Sequence, residues 1–138
     1  MWKRLNAWFA SRADVGLLVA RLWIGGAMIT HGVAKVLDLG AFSEKVARLG
    51  FPFAGVLGPF AALSETLGAA LLLLGLLTRP AAVALTLTML GAAFGVHWND
   101  PFTKKELALT YATISLALLF TGPGRFSLDR VLFGREFR

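Results

Sequence analysis

The chain has 138 residues, of which 57% are hydrophobic and only 16% charged, and its mean hydropathy is +0.68. A soluble domain carries roughly 25% charged residues, and one this small buries only about two-thirds of the surface its chain exposes, so the composition points away from a soluble fold and to an integral membrane protein. The absence of cysteine excludes disulfides, thiolate metal sites, iron–sulfur clusters held by this chain alone and any dithiol relay, and the net charge of +6 reads as basic residues flanking membrane spans, not as a nucleic-acid surface.

Residues 1–13 begin with Met1-Trp2-Lys3-Arg4-Leu5, like a signal peptide, but no apolar core of roughly 7–15 residues follows before Arg12. They read as a retained interfacial segment with Trp2, Leu5 and Phe9 on one helix face. A first span is predicted over about residues 15–37, apolar except for Arg21, His31 and Lys35. Residues 38–52 hold Phe42, Val46 and Leu49 at helical spacing, which predicts a short amphipathic helix lying at the interface. A second span covers about residues 53–77, with Glu65 as its only charge, and a tight hairpin at Thr78-Arg79-Pro80 leads into an uncharged third span over about 80–97. Asn99-Asp100-Pro101 separates this from a fourth span over about 106–121, which Gly122-Pro123-Gly124 stops. The last two spans need flanking residues to reach the ~20 that a crossing requires. The fold class is all-α: a single domain over residues 1–138, built as a four-transmembrane-helix bundle with an interfacial helix in its first outer loop.

Basic residues set the orientation. Lys3, Arg4, Arg12, Arg79, Arg125, Arg130, Arg135 and Arg138 collect on one side; Lys45, Arg48, Lys104 and Lys105, joined by Lys35 if it emerges there, collect on the other. Both termini are therefore expected in the cytoplasm, with the chain multi-pass in the inner membrane. Gly25-Gly26, Ala61, Gly68, Gly75 and the pair Gly91 and Gly95 mark where helices are expected to touch, because lipid supplies no hydrophobic drive between helices and close backbone approach matters.

A charge at the bilayer centre costs about 2.5–3.5 kcal/mol on insertion scales, so Arg21 and Glu65 should face the interior, and counting depth from the expected span ends pairs them with each other. On a helical wheel Arg21, Ile24, Met28, His31 and Lys35 form one stripe. With His97 and Glu106 at a similar height, a polar cluster of His31, Lys35, His97 and Glu106 is expected above Glu65, with Trp98 and Trp23 adding aromatic surface. Histidine and carboxylate exchange protons, which makes Glu65 and His31 the candidate catalytic pair. Arg21, Met28, Lys35, His97, Trp98 and Glu106 are the candidate ligand contacts. A quinone or another small molecule with an apolar tail suits such a site, a bis-histidine haem between His31 and His97 is the other cofactor alternative, and anchoring at the headgroup boundary is the structural one. No phosphate loop, dinucleotide fingerprint or metal-ligating motif is present.

Arg21, His31-Gly32, Lys35, Glu65-x-x-Gly68 followed by Leu71-Leu72-Leu73-Leu74-Gly75-Leu76-Leu77-Thr78-Arg79, and the tail Gly122-Pro123-Gly124-Arg125-Phe126-Ser127-Leu128-Asp129 resemble the DoxX family, in order and over residues 14–132. The resemblance implies a four-helix membrane protein with Arg21, His31, Lys35, Glu65 and Arg125 as its polar sites. The family is named after the small-subunit type of a thiosulfate:quinone oxidoreductase, and related four-helix proteins are regarded as assembly factors or scaffolds. Without cysteine, a redox role must borrow a quinone, a haem or a partner membrane or peripheral redox protein. In the tail, Arg125 and Asp129 are spaced to pair on a short helix and Ser127 to cap it, a structural lock. Two readings follow: a redox subunit binding quinone around Glu65, His31 and Lys35, and a noncatalytic scaffold or chaperone for partner membrane proteins. Transport of a small solute, a minor third, would require a homo-oligomer.

Overall fold

A computed structural model describes residues 1–134, so Arg135 and Arg138 of the charge count lie outside the described residues. The described residues contain helices and no strand: α1 (Trp2–Ala10), α2 (Ala13–Leu37), α3 (Leu39–Arg48), α4 (Ala54–Leu74), α5 (Thr78–Val96), α6 (Phe102–Thr121) and α7 (Leu128–Phe133). Helices α2, α4 and α5 are long and apolar enough to cross a membrane. Helix α6 has 20 residues, but Lys104, Lys105 and Glu106 occupy its first turns.

Two glycines set the register of α2 against α4. A Cβ on Gly25 would lie 2.6 Å from the Leu73 Cβ and 2.8 Å from the Ala69 carbonyl oxygen, and one on Gly32 would lie 2.7 and 2.8 Å from the Glu65 carbonyl carbon and oxygen. The two backbones therefore touch, as small residues permit in a bilayer. The other expected contact glycines differ. Gly26 and Gly91 have nothing within 4 Å, Gly68 has only ordinary contacts at 3.9 Å, and Gly95 faces the Phe51 ring of the loop between α3 and α4 rather than a helix. Helices α4 and α5 are pinned by a buried hydrogen bond between the Ser64 and Thr88 hydroxyls at 2.6 Å. Ile24, Met28, Leu72, Leu85, Tyr111 and Leu118 form the centre of the apolar core.

The hairpin between α4 and α5 lies three residues earlier than expected. Gly75 (φ 66°) and Leu77 (φ 46°) take the left-handed conformation, and Thr78, Arg79 and Pro80 already form the first turn of α5. Pro80 is tolerated there because its missing N–H would have had no helical partner. Helix α3 occupies the first loop as expected, with Asp38 capping its start by accepting from Ala41 N at 3.0 Å. No residue of α1 is buried; Trp2, Leu5 and Phe9 are exposed, and the Arg12 guanidinium lies 4.2 Å from the Trp8 ring centroid.

Candidate functional site

Glu65 sits in a π-helical turn, Ser64–Gly68, inside α4. Such a turn inserts one extra residue and recurs at functional sites. Here it accompanies the contact with Gly32, and Glu65 is only 3% exposed. Its partner is Lys35, not Arg21: Lys35 Nζ donates to Oε1 at 2.6 Å and to Oε2 at 2.5 Å. The register explains this. Glu65 lies level with Gly32, and helical side chains lean toward their own N-terminus, so Lys35, nearly one turn further along, reaches back to it. Arg21 is eleven positions below Gly32, roughly 16 Å away at 1.5 Å per residue. The Lys35 side chain is 30% exposed and its ammonium lies 5.1 Å from the Phe42 ring centroid of α3, so the pair joins a dry carboxylate to a partly hydrated cation.

Two cavities meet on this ion pair. The larger, about 440 Å³, lies between α3, α4 and α5, with walls that include Phe42, Val46, Leu57, Phe60 and Leu87 and polar groups from Lys35, Glu65, Lys45, Thr88 and His97. The smaller, about 150 Å³, lies between α2, α5 and α6 and includes Met28, His31, Met89, Lys104 and Tyr111 with Lys35, Glu65 and His97. Lys35, Glu65, Ala92 and His97 border both. The second π-helical turn, Ala92–Val96, thus starts on the wall that the cavities share.

The expected polar cluster forms in part. His31, Lys35, His97 and Glu65 gather on the smaller cavity, with Met28 (1% exposed) in the same lining. Glu106 does not join them; it is exposed on α6 and lines neither cavity. Trp98 also lies outside, 65% exposed, with its carbonyl accepting from Lys105 Nζ at 2.6 Å. Both were placed by height; for Glu106 height does not fix which way a helical side chain faces, and Trp98 lies in the turn beyond α5. Three contributors were not among the expected site residues. Tyr111 packs edge-on to His31 with centroids 6.2 Å apart, Asp100 Oδ2 lies 2.6 Å from His97 Nδ1, and Phe42 covers Lys35. Hydrogen bonding to His97, aided by Lys104 and Lys105, holds the Asp100 carboxyl below its ordinary range. A haem does not fit between His31 and His97. The space they share is about 150 Å³, below the roughly 300–1,000 Å³ of organic ligand sites. Among the described residues, no three His, Asp or Glu side chains gather as metal ligands.

Arg21 belongs to a second polar centre at the opposite end of the bundle. It is 1% exposed and donates to the carbonyls of Pro123 at 2.7 Å and Phe126 at 2.5 Å. Asp129, also buried, supplies the opposing charge; its carboxylate accepts from Leu77 N at 2.6 Å and Thr78 N at 2.9 Å, closing the start of α5. Ser127 caps α7 as expected, accepting from Arg130 N at 3.3 Å. The expected Arg125–Asp129 pair does not form. Arg125 precedes the helix, its guanidinium lies 4.6 Å from the Phe126 ring centroid, and its N–H donates to Asp14 Oδ1 at 2.9 Å. Gly75 is required here twice: its φ is positive, and a Cβ would collide with the Arg21 guanidinium.

No solved structure matches the chain. Among curated proteins it is similar to the Escherichia coli (strain K12) inner membrane proteins YqjF, 32% identical with 86% of this chain and 93% of that one covered, and YphA, 32% identical with 88% and 94% covered. A Bacillus subtilis (strain 168) protein named "Putative oxidoreductase CatD" is 27% identical, with 87% of this chain and 89% of that one covered. The DoxX family model matches residues 16–98, which hold both partners of the buried ion pair and His31 and His97. With its apolar helices and these relatives, the chain belongs to the DoxX family of membrane proteins.

Proposed function

We propose that the chain is a single-domain, four-crossing inner membrane protein, with both termini cytoplasmic, that holds a quinone-like molecule in the larger cleft with its head group on the Lys35–Glu65 pair. In this reading α6 makes the fourth crossing, with Lys104 and Lys105 at the headgroups, and α3 lies on the outer surface. The charge asymmetry supports the orientation: Lys3, Arg4, Arg12, Arg79, Arg125 and Arg130 belong to the end that holds both terminal segments.

One observation carries the ligand reading: an ion pair with a buried carboxylate forms the polar border of a cleft whose other walls are mainly apolar. A buried charge pair is weak evidence for stability, and ionisable groups within spans mark functional sites by default. At about 440 Å³ the cleft falls within the range of organic ligand sites. Leu57, Phe60 and Leu87 line it and are also exposed on the outside of the bundle, which gives an apolar molecule a lateral way in from lipid. A bound quinone would supply two-electron redox chemistry. The chain's own groups supply the rest: the Lys35 ammonium can donate a hydrogen bond to a head-group oxygen, Glu65 can take or give a proton there, and the aromatic wall excludes water. The relative named as an oxidoreductase fits this reading. The scaffold alternative drew on small-residue helix faces, and Gly25 and Gly32 are spent on contacts within the chain.

The test is thermal unfolding in lipid nanodiscs with decylubiquinone and a short-chain menaquinone. Either should raise the Tm of the wild type and neither that of Gly91→Leu, whose side chain enters the cleft from a position with open space around it. Glu65→Gln should insert normally and lose the response. No shift with either quinone would overturn the reading.

A further inference from the structure

Glu65 borders two cavities of opposite character. The larger is walled mainly by aromatic and aliphatic side chains and opens toward lipid. The smaller is too confined for an organic ligand, but a water needs only about 10–15 Å³ of probe-occupied space together with polar partners. It has both. From the end of the bundle away from the termini, Lys104 and His31, both exposed, lead inward past His97 and Tyr111 to Glu65. A quinone-like occupant in the larger cleft would close that side of the carboxylate to water and leave the smaller side open.

We propose that the smaller cavity is a water-filled proton passage joining the Glu65 carboxylate to the aqueous face at this end of the bundle, with His31 and His97 as its exchanging groups. The histidines suit the task because imidazole is the side chain that gains and loses a proton near neutral pH. The Nδ1 of His97 is engaged with Asp100, which leaves Nε2 as its exchanging nitrogen. The groups facing Glu65 from each packed element are Lys35 and His31 on α2, Lys45 on α3, His97 at the end of α5, and Lys104 and Tyr111 on α6. Of the lysines, Lys35 and Lys104 line the smaller cavity and Lys45 only the larger. Uptake breaks an O–H bond of hydronium and forms one on a Glu65 oxygen; the positive charge of Lys35 is then free to face an anionic head group. The purpose given to the passage rests on the ligand reading of the larger cleft, but its existence does not.

The experiment uses the ligand-free protein in nanodiscs. After a pH jump, infrared difference spectra follow the protonated-carboxyl band of Glu65, assigned by its loss in Glu65→Gln. Ala108 lines the smaller cavity and is half-buried. Ala108→Phe should slow the band by roughly tenfold or more, a modest share of the 10²–10⁴ that a positioned proton-transfer group contributes. Ala108→Ser and the cleft-filling Gly91→Leu should leave the rate unchanged. Wild-type kinetics in Ala108→Phe, slowing in Gly91→Leu instead, or no Glu65 band at any pH at which the fold persists would each overturn the proposal. A second measurement covers failure of Ala108→Phe to fold. The chain has no cysteine, so Met28→Cys places a sole thiol on the cavity wall. In proteoliposomes it should react with Ag⁺, a membrane-impermeant thiophilic ion small enough for the cavity, added at the Lys104 end, and an inert thiol would refute a hydrated passage. A missing quinone response would sink the ligand reading alone.

Discussion

Asp129→Ala should be among the most damaging single substitutions in this protein, although the residue follows the last long helix. The carboxylate accepts two backbone N–H bonds at 2.6 and 2.9 Å at the start of α5, where the helix dipole also favours a negative charge. Hydrogen bonds to charged groups contribute about 1.5–3 kcal/mol each, and loss of a capping side chain alone costs about 0.5–2 kcal/mol. These terms describe overlapping interactions and do not add, so the expected loss is about 3–4 kcal/mol. Asp129→Asn keeps one acceptor oxygen and the shape but not the charge, and should lose about half as much. The assay is equilibrium unfolding in mixed detergent micelles titrated with a denaturing detergent. Combining Asp129→Asn with Arg21→Met should cost at least about 1 kcal/mol less than the sum of the single changes, because residues in one network couple. A loss below about 1 kcal/mol for Asp129→Ala, or additive behaviour in the pair, would refute the view that this carboxylate holds α5 and Arg21 together.

Three further outcomes can be checked in the same system. Gly91→Ala should stabilise the protein by about 0.5–1 kcal/mol, since a mid-helix glycine gains helix propensity and the added methyl meets nothing within 4 Å; destabilisation in the unfolding titration would contradict the open cleft. Lys35→Met should cost roughly 3 kcal/mol by leaving Glu65 buried without its partner, and Lys35→Met with Glu65→Gln should recover most of that loss; an uncorrected double variant would argue against an ion pair. Because its hydrogen bond with His97 lowers the carboxyl of Asp100, that group's stabilisation is fully present above its unfolded value of about 3.9 and is lost as pH falls through the lower folded value. Asp100→Asn should therefore lower the Tm at neutral pH, flatten the acid limb of the Tm-against-pH curve and converge with the wild type at its acid end.

Hydropathy and breakers located α2, α4 and α5, the start of the tail and the amphipathic α3, because each depends on residues near in sequence. Register was not legible. The Arg21–Glu65 pairing followed from counting rises along two helices with assumed ends, whereas Gly25 and Gly32 fix the actual alignment by backbone contact. Gly32 was visible only as part of a family motif, and its size is what brings Glu65 within reach of Lys35. The demand that Arg21 be satisfied was legible from its burial cost; its acceptors, the carbonyls of Pro123 and Phe126, were not, since every residue has a carbonyl and nothing in side-chain pattern marks two that are left free. The stripe of Met28, His31 and Lys35 was correct in facing one side, because a single helix fixes it. Glu106 was assigned by height alone, and there the rotation about the axis decided otherwise, while Trp98 falls in the turn beyond the end of α5. The π-helical turns left no trace in the pattern, since polar residues on these spans are too few to set a period that one inserted residue would shift.

The knot around Arg21 also has a consequence for biogenesis. Arg21 enters the bilayer with the first long helix, yet the Pro123 carbonyl that receives it is 102 residues further along the chain. At translation rates of about 5–20 residues per second, that guanidinium waits roughly 5–20 s for its permanent acceptors. During that interval the insertion machinery, water or lipid headgroups must solvate it. A chain cut short before residue 123 would never release that demand. Residues 123–129 thus report whether the long helices before them have been made, and a ribosome that stops short of them leaves the Arg21 cation without its acceptors.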